Sequence, residues 1–331
     1  MSFPAVLFAD RTFPQAPEYL RNVLPEARIE VTGMASTGEP LAAEVLMPLM
    51  SRIDGAVMDR VRGLRLIHQW GAGLEGVDVA AATARGIAVG NIPSAATGNA
   101  DSVAEWCLMA ALALSRRLPD LPQVIREGAV WGAPVGQALL GRTAGVLGLG
   151  GIGRALAARL EPFGMRVMAV TRRPDASRDV PADWLGGLGD LPELLENSDY
   201  LFLCLPLTPD TAGLIGRGAL ARMRPSAFLI NVGRGALVDE EALLAALAAD
   251  RLAGAALDVF AREPLPADSP LLRERRILAT PHIAGVTDVS YTAVARYLAD
   301  VIRRLAGRQP LGQCVNWAEL RDFYRSGAGN R

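Results

Sequence analysis

The chain contains no lysine: all 34 basic residues among its 331 are arginine. That absence excludes a Schiff-base or pyridoxal-phosphate lysine, the lysine of a G-x-x-x-x-G-K phosphate loop, and a Tyr-x-x-x-Lys reductase site. Histidine is almost as scarce, with two residues, His68 and His282, and cysteine stands at three, Cys107, Cys204 and Cys314. Without C-x-x-C spacing, these leave few donors for a transition-metal site. The odd, scattered thiols read as reduced ones of a cytoplasmic protein. Nowhere do 18 apolar residues run together, so no membrane span is expected. Residues 1–13 lack a basic start and meet Asp10 and Arg11, so no signal peptide is expected either. Excess charge of one sign is also missing: 34 basic against 35 acidic residues give a net charge of -1. That balance leaves no electrostatic footprint for nucleic acid or an anionic membrane.

What is present is apolar and periodic. Half the residues are hydrophobic, and the length suggests two domains. Short apolar runs alternate with Ala/Leu/Arg-rich helical patterns, the signature of βαβ units and parallel sheets. Early runs are Ala5–Ala9, Gly55–Met58 and Leu64–Ile67, within a small α/β domain. One long helix is expected from Asp101 to Leu118, ended by Pro119. A second strand series starts at Thr143–Leu147 and continues through runs at 166–170, 200–205, 227–232, 253–259 and 276–279. A last helix over 289–304 follows, of the kind that returns to pack on a first domain.

Gly148-Leu149-Gly150-Gly151-Ile152-Gly153 is a G-x-G-x-x-G match placed between an apolar run and a helical pattern. That context is what a dinucleotide site requires: glycines admit the pyrophosphate, and the helix N-terminus offers free N–H groups. About 20 residues on, a carboxylate normally accepts the ribose hydroxyls of NAD(H). Here stand Thr171, Arg172 and Arg173, and a hydroxyl with guanidinium forks suits the 2′-phosphate of NADP(H) better. Asp175, bending back, is the alternative that would serve NAD(H). Farther along, Arg234 follows Phe228–Val232, Glu263 lies five residues past Asp258, and His282 follows Ile277–Ala279. If those runs are parallel strands, a fixed cation, a carboxylate and an imidazole reach the same sheet edge, the one where open α/β sheets bind ligands.

These pieces, in this order, resemble the D-isomer-specific 2-hydroxyacid dehydrogenases, with glyoxylate/hydroxypyruvate reductases as the nearest kind. The resemblance rests on Asn91-Ile92-Pro93, Ser102-Val103-Ala104-Glu105, the glycine loop, Leu205-Pro206-Leu207-Thr208 and Asn231-Val232-Gly233-Arg234-Gly235. It continues through Leu257-Asp258-Val259-Phe260 with Glu263-Pro264 and Pro281-His282-Ile283-Ala284-Gly285. In the first domain, Gly71–Asp78 matches the family's substrate loop. The resemblance implies a two-lobed α/β protein: a Rossmann dinucleotide-binding domain (99–285) inserted in a flavodoxin-like substrate domain (1–98 and 286–331). It implies a catalytic Arg234, Glu263 and His282. Arg234 would pin the substrate carboxylate and polarise the C2 carbonyl, and His282 would exchange the proton at the C2 oxygen. Glu263 would hold the other ring nitrogen and favour the charged ring. Asp258 would accept from the nicotinamide carboxamide, Leu205, Pro206, Val232 and Gly233 would join the cofactor contacts, and backbone N–H groups of Ala72 and Gly73 would meet the substrate carboxylate.

The implied activity is interconversion of 2-keto and D-2-hydroxy acids, with glyoxylate and hydroxypyruvate as expected substrates and larger 2-keto acids still open. Formate dehydrogenases of the family pair the histidine with glutamine, which Glu263 opposes. Phosphoglycerate dehydrogenases often carry further C-terminal domains, whereas about 45 residues follow Gly285 here. A nucleotide-sensing corepressor-like protein with little turnover is the rival class. Family members are usually homodimers, and the helix from Trp106 to Leu114 with the segment 121–140 is the expected interface. His68 reads as a packed or capping histidine, with a substrate contact as the alternative, and Trp70 and Trp131 as core residues or cleft lining.

Overall fold

The structure, a computed structural model, describes residues 3–33, 40–128, 132–177 and 179–325, without the side chains of 322–325; Trp131 lies outside them. The chain divides into two compact units, Met1–Gly98 with Asp288–Arg331, and Asn99–Thr287.

In the first unit the strands are β1 (Val6–Phe8), β2 (Ile29–Val31), β3 (Leu41–Ala42), β4 (Val45–Met47), β5 (Val61–Arg62), β6 (Leu66–His68) and β7 (Ala88–Gly90). Five form a parallel sheet in the order β2-β1-β4-β6-β7, and β3 pairs with β5 apart from it. This is the flavodoxin-like order. Residues 55–58, expected as a strand, form the helix Gly55–Asp59 instead. Asp54 caps it, its carboxylate accepting the Val57 N–H at 3.0 Å, and that cap decides the conformation of a short apolar run. The helix Asp288–Ala306 packs on Ala16–Val23, with Tyr19 and Tyr291 edge to face at 5.3 Å. Trp70 is buried against Phe8 and Tyr291, as core.

The second unit holds β8 (Thr143–Leu147), β9 (Arg166–Val170), β10 (Trp184–Gly186), β11 (Tyr200–Leu203), β12 (Phe228–Asn231), β13 (Gly254–Leu257) and β14 (Ile277–Ala279). All pair parallel in the order β10-β9-β8-β11-β12-β13-β14. The order reverses direction between β8 and β11, which makes that gap the topological switch point. β8, β9, β11, β12 and β13 are buried along almost their whole length because both faces are covered. On one face the helix Asn99–Ser115 packs on Gly151–Leu160 over Val146, Phe202 and Ile230. The other face buries Leu147, Leu203, Leu229 and Leu257 under Leu243 and Leu247. Each fully buried leucine contributes roughly 1.5–3 kcal/mol. The long helix thus begins two residues before the expected Asp101 and ends at Ser115. Among the described residues no helix is long and apolar enough to cross a membrane, and no group of three potential metal ligands occurs.

Candidate active site

Strand register places the site. Val170 pairs with Leu147, Leu147 with Leu203, Leu203 with Asn231, Asn231 with Leu257, and Leu257 with Ala279. These six residues make one row across the sheet. One step further along each strand come Thr171, Gly148, Cys204, Val232, Asp258 and Thr280. The glycine loop, the segment 171–173 and the candidate catalytic turns therefore leave the sheet from a single carboxyl edge.

At the switch point Gly148 has φ +99°, and a Cβ there would lie 2.8 Å from the Cys204 carbonyl oxygen. The chain turns away from β8 against the end of β11, which only glycine permits. A Cβ on Gly153 would collide with the Gly148 carbonyl, whereas nothing stands within 4 Å of one built on Gly150. Tight packing beneath and open space above is the cradle a pyrophosphate needs. The first-turn N–H groups of Gly151, Ile152 and Gly153 have no intrahelical acceptors. These residues fit a dinucleotide. The segment after β9 leaves Arg172 and Arg173 exposed beside the half-buried Thr171. It is moored by Arg154, whose guanidinium holds Asp179 at 2.8 Å and the Ala176 carbonyl at 3.2 Å. Asp175 is exposed in a 3₁₀ turn over Asp175–Ser177. Leu205 and Val232 are buried, Pro206 is exposed, and Gly233 approaches the Leu205 carbonyl so closely that a Cβ would sit 2.7 Å from it.

Three turns beyond the row hold the candidate catalytic groups. Asn231, fully buried, accepts the Gly233 N–H at 3.0 Å and donates to the Arg234 carbonyl at 2.9 Å, which fixes the turn carrying Arg234. Gly235 then packs so tightly on Phe260 that a Cβ would meet its carbonyl carbon. The Phe260 N–H donates to one carboxylate oxygen of Glu263 at 2.9 Å. The other, Oε2, meets Nδ1 of His282 at 2.7 Å. The Arg234 turn and the Glu263 turn are thus joined through Phe260. Burial pushes the Glu263 carboxyl up, but the His282 hydrogen bond and charge, the Phe260 N–H and the nearby Arg234 outweigh it, and the net shift is downward. Glu263 is thus an ionised acceptor for Nδ1 of His282.

His282 sits at φ +55°, a left-handed conformation that costs a non-glycine residue about 1–2 kcal/mol. Asp258 offsets that cost. Its carbonyl accepts the His282 N–H at 2.8 Å. Its carboxylate accepts the Thr280 hydroxyl at 2.6 Å and the Ile283 and Ala284 N–H groups at 2.8 Å each. Burial raises the Asp258 carboxyl, and those three donors pull against it. The expected carboxamide contact is therefore one further bond on a carboxylate already committed to the His282 loop. Sequence reading missed Asn231, Thr280 and the Phe260 N–H, whose roles depend on cross-strand register.

In the first unit, Ala72 and Gly73 follow β6. Asn91 donates to the Ala72 carbonyl at 2.6 Å, and the Ala72 and Gly73 N–H groups have no partner among the described residues. His68 is fully buried and its ring packs over Gly90, in keeping with a packed histidine. The three thiols are buried and free, and burial holds Cys204 up to about 12, so it is no nucleophile at neutral pH.

Residues 108–284 match the family model for the D-isomer specific 2-hydroxyacid dehydrogenase NAD-binding domain. A D-3-phosphoglycerate dehydrogenase of Archaeoglobus fulgidus is 35% identical over 94% of this chain and 59% of its own length. A glyoxylate reductase of Thermofilum pendens is 38% identical over 80% of this chain and 79% of its own. A solved D-isomer specific 2-hydroxyacid dehydrogenase of Xanthobacter autotrophicus, in complex with NADPH and MES, is 28% identical with a TM-score of 0.73, covering 96% of this chain and 99% of that one. The chain belongs to the D-isomer specific 2-hydroxyacid dehydrogenase family, and its second unit carries a nicotinamide dinucleotide-binding domain. It spans 59% of the length of the phosphoglycerate dehydrogenases it matches.

Proposed function

We propose that this chain is an oxidoreductase that interconverts short 2-keto acids and D-2-hydroxy acids with NADP(H), NAD(H) being the weaker cofactor. The observation that carries the reading is the 2.7 Å contact between His282 and Glu263 on the sheet edge that also bears the glycine loop and Arg234. The bound reduced nicotinamide supplies the hydride. Arg234, permanently charged, pairs with the substrate carboxylate and draws electron density from the C2 carbonyl. Nε2 of His282 gives the C2 oxygen its proton in reduction and takes it back in oxidation, help worth roughly 100- to 10,000-fold. Glu263 holds the ring in one tautomer and stabilises its charged form.

Cofactor choice rests on Thr171, Arg172 and Arg173, and a structural relative binds NADPH. Glyoxylate and hydroxypyruvate are the proposed substrates, in line with the glyoxylate reductases among the relatives. A homodimer joined through the second unit is proposed from exposed Met109, Leu112, Leu118, Ile125 and Val135; residues 129–131 of the expected interface lie outside the described ones. The test is loss of NADPH absorbance with a panel of 2-keto acids. Turnover of the short acids is expected. Dinucleotide binding with no turnover across the panel would replace this reading with a nucleotide-sensing one.

A further inference from the structure

We propose that Thr280 is a positioning residue for His282, its hydroxyl locking the buried Asp258 carboxylate into a clamp that holds the histidine in its left-handed turn. The inference rests on the proposed role of His282 but reaches a residue that touches neither ring nor glutamate.

Thr280 and Asp258 each stand one step past the paired residues Ala279 and Leu257, so register alone sets them side by side. The Thr280 N–H donates to the Leu257 carbonyl at 3.0 Å, fixing the backbone. Its hydroxyl donates to Oδ1 of Asp258 at 2.6 Å, the shortest bond that carboxylate makes. Oδ1 also accepts the Ile283 N–H, while Oδ2 accepts that of Ala284, both at 2.8 Å. Those two amides flank His282 on its C-terminal side, and its own N–H reaches the Asp258 carbonyl at 2.8 Å and the Thr280 carbonyl at 3.0 Å. Each peptide unit around the histidine is thereby tied to Asp258 or Thr280. Asp258 is 2% exposed, so water cannot replace a missing donor, and an uncommitted carboxylate could rotate about its side chain. Rotation releases the Ile283 and Ala284 amides together and lets the turn relax toward ordinary φ. The imidazole then swings relative to Glu263.

A hydroxyl-free residue of the same shape isolates the effect, so Thr280→Val is the primary variant and Thr280→Ser the rescue. Two histidines in the whole chain make imidazole nitrogen NMR of the intact protein unambiguous, with His68 as internal control. In Thr280→Val the His282 resonances are expected to leave their wild-type positions or broaden as the ring samples more than one setting, while His68 stays put. Turnover is expected to fall about 100-fold, as for an ångström-scale misplacement of a catalytic group. Thr280→Ser restores both resonances and rate. Superimposable His282 resonances in Thr280→Val overturn the proposal, as does failure of Thr280→Ser to restore them. Should Thr280→Val not fold, Thr280→Ala answers the same question without an added methyl. The NMR readout needs no substrate: a His282 response in a protein that turns over no 2-keto acid leaves the clamp standing and removes the dehydrogenase reading alone.

Discussion

Replacing Glu263 with glutamine keeps the length and shape of the side chain but removes its charge, so it probes what the carboxylate adds beyond orientation. The carboxylate bonds Nδ1 of His282 at 2.7 Å and the Phe260 N–H at 2.9 Å. Glutamine can accept through one atom only, and its amide nitrogen must face one of those donors. On the proposed mechanism the ring gains positive charge as it takes the hydroxyl proton in the oxidation direction, and that charge develops beside residue 263. A hydrogen bond to a charged group is worth about 1.5–3 kcal/mol, against about 0.5–1.5 for a neutral one. With side-chain exposures of 33% for His282 and 16% for Glu263, solvent screens part of the difference. About 0.5–1 kcal/mol remains, a loss of roughly 2- to 5-fold in kcat for oxidation of a D-2-hydroxy acid. The assay is initial-rate NADPH formation under saturation, with dinucleotide affinity measured separately by fluorescence. An unchanged kcat would show that the charge of Glu263 plays no part in proton transfer, and the reasoning would fail there.

Other outcomes follow from the same contacts. Arg172→Ala with Arg173→Ala should cost NADPH about tenfold in affinity and leave NADH nearly untouched, since only the former offers a phosphate to exposed guanidinium forks; equal losses for both would refute the assignment. Gly153→Ala should weaken dinucleotide binding by at least about tenfold, because a Cβ would meet the Gly148 carbonyl; wild-type affinity by calorimetry would contradict it. His68 bears on stability. Burial holds its ring down to about 4 from an ordinary 6.5, so the fold keeps it neutral while the unfolded chain protonates. Stability from this site is fully present above pH 6.5 and is lost as pH falls toward 4, by about 3 kcal/mol at 1.36 kcal/mol per pH unit. Urea unfolding at about pH 7 and about pH 4.5 should show a smaller acid loss in His68→Leu than in the wild type; equal losses would remove His68 from the account.

Much of the second unit was legible because its strands are buried on both faces and read as unbroken apolar runs. The glycine loop carries its own mechanism in its spacing, and Arg234, Glu263 and His282 each follow a strand. The first unit was harder. Its strands are three residues or fewer, too short for periodicity, and the apolar run at residues 55–58 went to a helix because Asp54 caps it. The supporting shell was not legible at all. Asn231 beneath Arg234, the Phe260 amide behind Glu263 and the Thr280 hydroxyl on Asp258 acquire meaning only when Asn231, Leu257 and Ala279 fall in one row. Asp258 shows the limit most clearly: the family resemblance implies a cofactor contact, while its hold on the His282 loop through Thr280, Ile283 and Ala284 is legible only in the structure.

The most direct test of the central claim, that His282 moves the substrate proton from this sheet edge, is to measure kcat and dinucleotide affinity on one preparation of His282→Ala. Turnover of the best 2-keto acid is expected to fall by roughly 100- to 10,000-fold while NADPH binds as before. Wild-type-like kcat in that variant would contradict it.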